Sequence, residues 1–464
     1  AGRLGAPSGG TLIAEGNIAL ATASERHTET LSTPRAQRTQ TDTQDLGTRI
    51  DSDTNLTLFA GGRLALEAAS LTAGDTLAAQ AGDDIDIRAG NQGHTIDGRL
   101  GRASLGVDQA RAVASTLSGE HIVLATSGDL TVTASRLTAT GDMTLAAEGD
   151  LRLAAATEHH RNDWQKGDGR NFRLSLTTHE QGSTLSAGGD LTLLAGNDLL
   201  ARAADISSHA GAVVARAGRD LTIEAGQTTT HLDQARHKNK RGLVSSTTQT
   251  TRDTRDTTAV VSSTVSGETV TLLANRDMQI TGSTVSAAQA LTLTAGNDLL
   301  LDAAESSDQR HFRKTTTQTQ GLGRKAVANT LDTFSVRQTG TTLSAGHIDL
   351  SAGNDLTLIA TAVAATGDIR FTAGAEIAYL AATQLDEFHA TRKTSDNLLG
   401  FANLSGLIDN GWQQAKAKRE ATSTTRTGAV TVIQTPDAVL SQSPGDTTLA
   451  GTTIRAGRFT ATAG

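Results

Sequence analysis

The sequence predicts an all-β solenoid, a parallel β-helix whose rungs are interrupted at intervals by hairpin arms. Three observations carry that reading: one short motif recurs along the chain, it recurs at a rung-sized period, and a longer period of polar segments lies over it. The motif is clearest in Ser351-Ala-Gly-Asn-Asp-Leu-Thr-Leu358, with close copies in Leu293-Thr-Ala-Gly-Asn-Asp-Leu-Leu300 and Leu194-Ala-Gly-Asn-Asp-Leu-Leu200. Looser copies are Ala81-Gly-Asp-Asp-Ile-Asp86, Glu148-Gly-Asp-Leu151 and Ala217-Gly-Arg-Asp-Leu-Thr-Ile223. In each, apolar residues alternate, a small residue and Gly intervene, an Asp or Asn follows, and alternation resumes. That is strand, tight turn, strand.

The acidic or amide residue after the Gly serves as a marker. Short steps of 8 separate Asp142 from Asp150, Asp190 from Asp198, and Asp368 from Glu376. A step of 13 separates Asp129 from Asp142, so one circuit is 21 residues, as from Asp277 to Asp298 or Asp355 to Glu376. Two or three short strands with Gly turns in such a circuit make one rung of a parallel solenoid.

The longer period runs through Asn17, Asp84, Asp150, Asp220, Asp298 and Glu376, at intervals of 67, 66, 70, 78 and 78, and Arg458 continues it at 82. After each of the first six markers the alternation stops and a polar arm begins, near 24–50, 91–116, 157–182, 227–262, 304–340 and 383–427. Residues 1–464 therefore read as a single array of six units, each two rungs plus one arm, with part of a seventh.

Composition fits this reading. Aromatic residues make up 2 % of the chain and Pro only 4 of the 464 residues, too little for a rounded core of large rings. A narrow interior of stacked Leu, Ile, Val and Ala needs none. Mean hydropathy is −0.25, yet the strict alternation of Leu191 with Leu193, Ile348 with Leu350 and Leu356 with Leu358 is foreign to a disordered chain. A net charge of −8 argues against nucleic-acid binding by the chain as a whole. The absence of Cys removes disulfides, thiolate metal sites and Cys nucleophiles. No run approaches 18 apolar residues, and Ala1-Gly-Arg-Leu4 does not read as a signal peptide. Because rungs open almost at once, at Gly10-Thr-Leu-Ile13, and no end cap is apparent, the array reads as a segment of a longer chain.

The arms differ more than the rungs. The first two lack aromatic residues, and the third carries Trp164 and Phe172 around Lys166-Gly-Asp-Gly-Arg170. The fourth runs out through His231-Leu-Asp-Gln-Ala-Arg-His-Lys-Asn-Lys-Arg241, turns near Gly242 and returns as Ser245-Ser-Thr-Thr-Gln-Thr-Thr251. The fifth turns at Gln320-Gly-Leu-Gly-Arg324. The sixth holds Leu398-Leu-Gly-Phe401 and an amphiphilic helical stretch around 407–421. Thr-rich segments beside Gly suggest hairpins projecting sideways from the rod.

Arms four to six hold 18 of the 41 basic residues, interleaved with rings. The candidate surface-binding residues are Arg236, Lys238, Lys240, Arg241, Arg310, Phe312, Arg313, Lys314, Arg324, Lys325, Trp412, Lys416 and Lys418, suited to an acidic glycan, lipopolysaccharide or a membrane surface. The plainer alternative is a set of solvated hairpins kept soluble by charge. A His stands near the foot of every arm, at His27, His94, His160, His231, His311 and His389. Residues two rungs apart are about 10 Å apart, far beyond a metal–nitrogen bond of about 2 Å, so these read as structural and no metal is expected. The Gly-Asp pairs recur with the turn, where Asp and Asn bond their own backbone. No unrepeated carboxylate cluster, phosphate-binding Gly loop or Gly-Gly-x-Gly-x-Asp calcium repeat is present. No catalytic residue, cofactor or small-molecule substrate is expected.

Gly182-Ser-Thr-Leu-Ser-Ala-Gly-Gly-Asp-Leu-Thr-Leu193, Gly282-Ser-Thr-Val-Ser286, Ser351–Leu358 and Thr250-Thr-Arg-Asp-Thr-Arg-Asp-Thr-Thr258 resemble the haemagglutinin repeats of two-partner-secretion exoproteins. These are the filamentous haemagglutinin adhesins and contact-dependent growth inhibition effectors of Gram-negative bacteria. The arm-bearing version is most similar to the second repeat region of the growth-inhibition effectors. The resemblance implies a right-handed parallel β-helix, secretion to the cell surface through an outer-membrane transporter, and a part in passing a C-terminal toxin across a target cell's outer membrane. A chain without Cys suits passage unfolded through a pore, and rungs that contact only their neighbours suit vectorial folding.

Overall fold

The computed structural model describes residues 2–167, 169–321, 323–398 and 413–464. One circuit shows how the solenoid is built. Thr184–Ala187 forms the first side, Leu191–Ala195 the second and Leu199–Arg202 the third, after which Asp205–Ser208 begins the next rung. Successive rungs pair in parallel and in register, Leu185 on Ile206, Leu191 on Val213 and Leu199 on Leu221. The third side alone is a sheet of 12 parallel strands, and the first two sides join into one of 24.

In-register parallel pairing stacks like on like, and this explains the alternation in the sequence. Leu64, Ile85, Leu130, Leu151, Leu199 and Leu221 form one inward column on the third side, all buried to within 1 %. Each contributes about 1.5–3 kcal/mol of burial. Rings enter the interior at Phe371 and Tyr379, edge to face at 5.5 Å. The buried Tyr379 hydroxyl donates to Ser441 Oγ at 2.9 Å, and burial pushes its pKa far above the usual phenol range.

The turn motif is explained rung by rung. At Gly353 a Cβ would overlap the carbonyl oxygen of Gly296 in the rung below, so close stacking and not a left-handed backbone demands glycine there. The acidic markers bond the next rung instead of their own backbone. Asp150 N–H donates to Asp129 Oδ1 at 2.8 Å, and Asp355 N–H to Asp298 Oδ1 at 3.1 Å. The stacked carboxylates are offset by cations, as where Arg219 Nε reaches Asp198 at 3.0 Å and Arg276 Nε reaches Asp220 at 2.6 Å. Each guanidinium holds its carboxyl below the usual carboxylate range.

At the corner between third and first sides, the rungs that continue without an arm place a residue in the left-handed region: Ala68, Ala134, Ala203 and Ala360 at φ 45–49°, and Gly282 and Gly451 at φ 56° and 70°. Beside Ala68 and Ala203 stand Gly90 and Gly226, whose Cβ atoms would lie 2.9 and 2.7 Å from the alanine Cβ; where the corner is Gly282, the neighbour is Ala304. The next residue closes the gap left when an arm departs. Ser263, fully buried, donates from Oγ to Glu224 O at 2.7 Å and accepts from Ala204 N–H at 3.0 Å. Ser115 and Thr431 occupy the same place.

The arms are hairpins, but they do not project separately. Ala23–Ser32 with Ala36–Leu46, Gly90–Leu100 with Ala103–Val113, Ala156–Lys166 with Asn171–Gln181, Gly226–Arg241 with Ser245–Val261, Ala304–Gln320 with Gly323–Thr339, and Ala382–Leu398 with Gln413–Ala429 pair edge to edge into one antiparallel sheet of 12 strands. The reason is geometric. Arms recur every two rungs, about 10 Å, and a hairpin is two strands wide, also about 10 Å. Helix formation around 407–421 is not found in the described part: residues 413–421 lie in the strand Gln413–Ala429, whose main chain pairs with Ala382–Leu398, and 407–412 lie outside the described residues.

Candidate functional site

The arm sheet is a single layer with both faces reaching solvent, so cross-strand pairs replace a core. Thr178 and Thr229 hydroxyls meet at 2.6 Å across arms three and four. Arms four and five are joined by a reciprocal pair: Arg310 reaches Asp253 at 2.8 and 3.0 Å, and Arg255 Nε reaches Asp308 at 2.9 Å. The arginines hold both carboxyls below their usual range. Arms five and six are joined by Arg337 with Asp386 and Lys325 with Asp396.

The histidines belong to the same network. His94 Nδ1 lies 2.5 Å from Asp42 of the preceding arm, His231 lies 2.5 Å from Asp256, and His311 is bonded to Asp332. Acidic partners thus stand beside these three histidines. They lie on neighbouring strands 21 to 52 residues away in sequence, where linear spacing does not show them. Among the described residues no three His, Asp or Glu side chains converge as metal ligands.

Because alternate residues of a strand face opposite sides, the register sorts the candidate binding residues. Arg236, Lys238, Lys240, Arg310, Phe312, Lys314 and Lys325 fall on one face, and Arg241, Arg313, Arg324, Lys416 and Lys418 on the other. Arg310 is committed to Asp253 and stacks over Phe312 at 5.6 Å, Lys325 to Asp396, and Lys418 to Glu420. Arg236, Lys238, Lys240, Arg241, Arg313, Lys314, Arg324 and Lys416 have no acidic partner among the described residues. Trp412 lies outside them. The face that carries Arg236 also holds residues outside the candidate binding set: Trp164 and Arg173 line a groove of 580 Å³ with Arg236, Lys238, Gln249 and Phe312. They come from three arms, and only the sheet register brings them together.

Comparison with known proteins decides the family. The hemagglutinin repeat model matches residues 96–181, 171–245, 243–326 and 322–464, most of the chain. The chain belongs to the hemagglutinin-repeat family. Its members are secreted surface exoproteins of Gram-negative bacteria. The chain is 31 % identical over 379 residues to a deoxyribonuclease CdiA of Dickeya dadantii, covering 78 % of this chain and 11 % of that protein. It is 35 % identical over 146 residues to a 16S rRNA endonuclease CdiA of Enterobacter cloacae, 31 % of this chain and 4 % of that one. With a tRNA nuclease CdiA of Escherichia coli it shares 23 % identity over 337 residues, 69 % of this chain and 9 % of that one. The chain thus spans about a tenth or less of the curated relatives it matches, and the nuclease activities in their names are said of those proteins. No solved structure matches.

Proposed function

We propose that this repeat region is a non-enzymatic stalk that carries and helps deliver a C-terminal toxin across the outer membrane of a target cell. The observation that carries this reading is the pairing of a continuous stack of parallel rungs with relatives named as CdiA nucleases. Export would run through the outer-membrane transporter of a two-partner system, with the target-cell surface as the later partner and no cofactor, nucleic acid or small-molecule substrate involved.

The test uses the full-length exoprotein. Removing residues 264–341, two rungs and one arm, brings Thr342 to the place of Thr264, with which it shares a ladder through Thr284. Display and toxin delivery are expected to survive that excision, and to survive neutralisation of the unpartnered cations of arms four to six. Loss of delivery on whole-unit removal with display intact would end the stalk reading.

A second reading, adhesion through the arms to a surface glycan or lipopolysaccharide, is favoured by one observation: Arg236, Lys238, Lys240 and Lys314 share a face and have no acidic partner among the described residues. Salt-sensitive binding to Gram-negative cells that disappears when these are neutralised would support it.

A further inference from the structure

The groove on the arm sheet has an unusual lining for a surface that has only to stay soluble. Trp164, Arg173, Gln234, Asp253 and Phe312 lie in one cross-strand row, each paired with the next. The row is four strand spacings wide, about 19 Å. Two residues further along the strands, on the same face, Arg236, Thr251 and Lys314 make a second row, and Lys238 and Gln249 begin a third. The single carboxylate in the lining, Asp253, is already occupied by Arg310 at 2.8 and 3.0 Å and by Gln234 at 3.3 Å. Arg173, Arg236 and Lys238 have no acidic partner among the described residues, so the groove is cationic on a chain whose net charge is −8.

The rings are not equivalent. Phe312 carries Arg310 over one face at 5.6 Å, and Phe172 carries Arg252 at 6.0 Å. Trp164 has no ring or cation partner among the described residues, and 41 % of it is exposed. A part-exposed indole whose cross-strand neighbours are Leu105 and Arg173, with Arg236 and Lys238 on the strand beyond, suits a sugar ring bearing a strongly charged substituent. The clustering favours phosphate over carboxylate, since a phosphate monoester carries about −1.5 to −2 charges and takes more than one cation. A single free ring does not suit a nucleic-acid strand, which needs successive stacking platforms.

We infer that this groove binds a phosphorylated oligosaccharide, with a sugar ring on Trp164 and its phosphate held by Arg173, Arg236 and Lys238. The inference rests on the adhesive reading of the arms and gives it a location and a ligand class.

The test is direct binding of the whole chain to three probes: the phosphorylated core oligosaccharide released from lipopolysaccharide, the same material after chemical dephosphorylation, and an oligogalacturonate of equal length. The phosphorylated probe is expected to bind at least about tenfold more tightly than either of the others. Trp164→Ala is expected to weaken it at every salt concentration. Arg236→Gln with Lys238→Gln is expected to weaken it and flatten its salt dependence. Trp164→Phe, with the far-UV β signal unchanged, checks that loss in Trp164→Ala is loss of the ring and not of the fold, and is expected to retain binding. Equal binding of the three probes, tighter binding of a single-stranded oligonucleotide, or variants that bind like the parent would overturn the inference. Whole-cell binding separates the two levels. If groove variants still adhere and adhesion is lost only when Arg324, Lys325, Lys416 and Lys418 are neutralised, the groove is wrong and the adhesive reading stands. If the parent chain does not adhere, both fall.

Discussion

Arg310 of the fifth arm and Asp253 of the fourth are joined through two hydrogen bonds of 2.8 and 3.0 Å, across strands 57 residues apart in sequence. Arg255 and Asp308 make the reciprocal pair from the opposite strands. The two arms have no hydrophobic core between them, so these clasps fix the register of one hairpin on the next.

Removing the clasp is expected to loosen the arms and leave the rungs intact. Asp253→Asn should raise amide hydrogen exchange in residues 309–316 and 249–256, with the effect on global stability confined to about 1 kcal/mol because the pair is partly solvated. Unchanged exchange there would mean that the backbone ladder alone sets the register.

Acid should act on the same joint. Arg310 holds the Asp253 carboxyl below its ordinary range, and Arg255 does the same for Asp308. A depressed folded-state pKa gives stability that is present above the unfolded value of about 3.9 and lost as pH falls through the folded value. Protection factors in arms four and five, with the intrinsic pH dependence of amide exchange divided out, are therefore expected to stay flat from pH 7 to about 5 and to fall below about pH 4, and less so in Arg310→Ala. A fall already between pH 7 and 6 would mean that these two carboxylates are not its cause.

The hydroxyl at Ser263 is placed to replace the bonds broken by an arm's departure. Ser263→Ala would leave Ala204 N–H without its acceptor in a fully buried corner. A loss of about 1–3 kcal/mol is expected from chemical denaturation. Rescue by Ser263→Thr is expected too, since Thr431 performs the same task. Indifference to Ser263→Ala would mean that water takes the hydroxyl's place.

Alanine in the left-handed region is strained by roughly 1–2 kcal/mol. Ala68→Gly should stabilise by some tenths of that figure after the entropy of glycine is counted. Gly90→Ala should destabilise, because its Cβ would stand 2.9 Å from that of Ala68 and 3.0 Å from that of Asp45, and combining it with Ala68→Gly should restore the part of the loss that comes from the first contact. Additive denaturation midpoints in the double variant would show that the two positions do not interact.

The solenoid was legible because its signal is local and repeated: Leu356 and Leu358 follow the same Gly-Asn-Asp that Leu299 and Leu301 follow, and stacking turns that periodicity into columns. What the acidic markers do was not legible from one copy, since Asp129 bonds a rung that follows it by 21 residues. The arm sheet was less legible still. Its residues pair through antiparallel registers that join Trp164 to Arg173 and Arg173 to Gln234. Polar hairpins with Thr on both faces give no apolar stripe to show which side meets which neighbour. A strand over 413–421 is hidden from the sequence for a related reason. Gln413-Gln-Ala-Lys-Ala-Lys-Arg-Glu420 has good intrinsic helix formers, and the pairing of Gln413–Ala429 with Ala382–Leu398 overrides that preference.

The arm sheet and the solenoid run the length of the molecule side by side, joined at every second rung. Mechanically this is a beam with a flange. Stretching the rod between two units has to pull open the three-sided parallel ladder and the antiparallel arm-to-arm ladder at the same time, because the hydrogen bonds of both run along the stacking axis. The clasps at Arg310–Asp253 and Arg337–Asp386 sit on the second of these. A stalk pulled between two cells would thus carry its load on two hydrogen-bonded rails, and yielding at one rung would leave the chain tethered through the arms on either side.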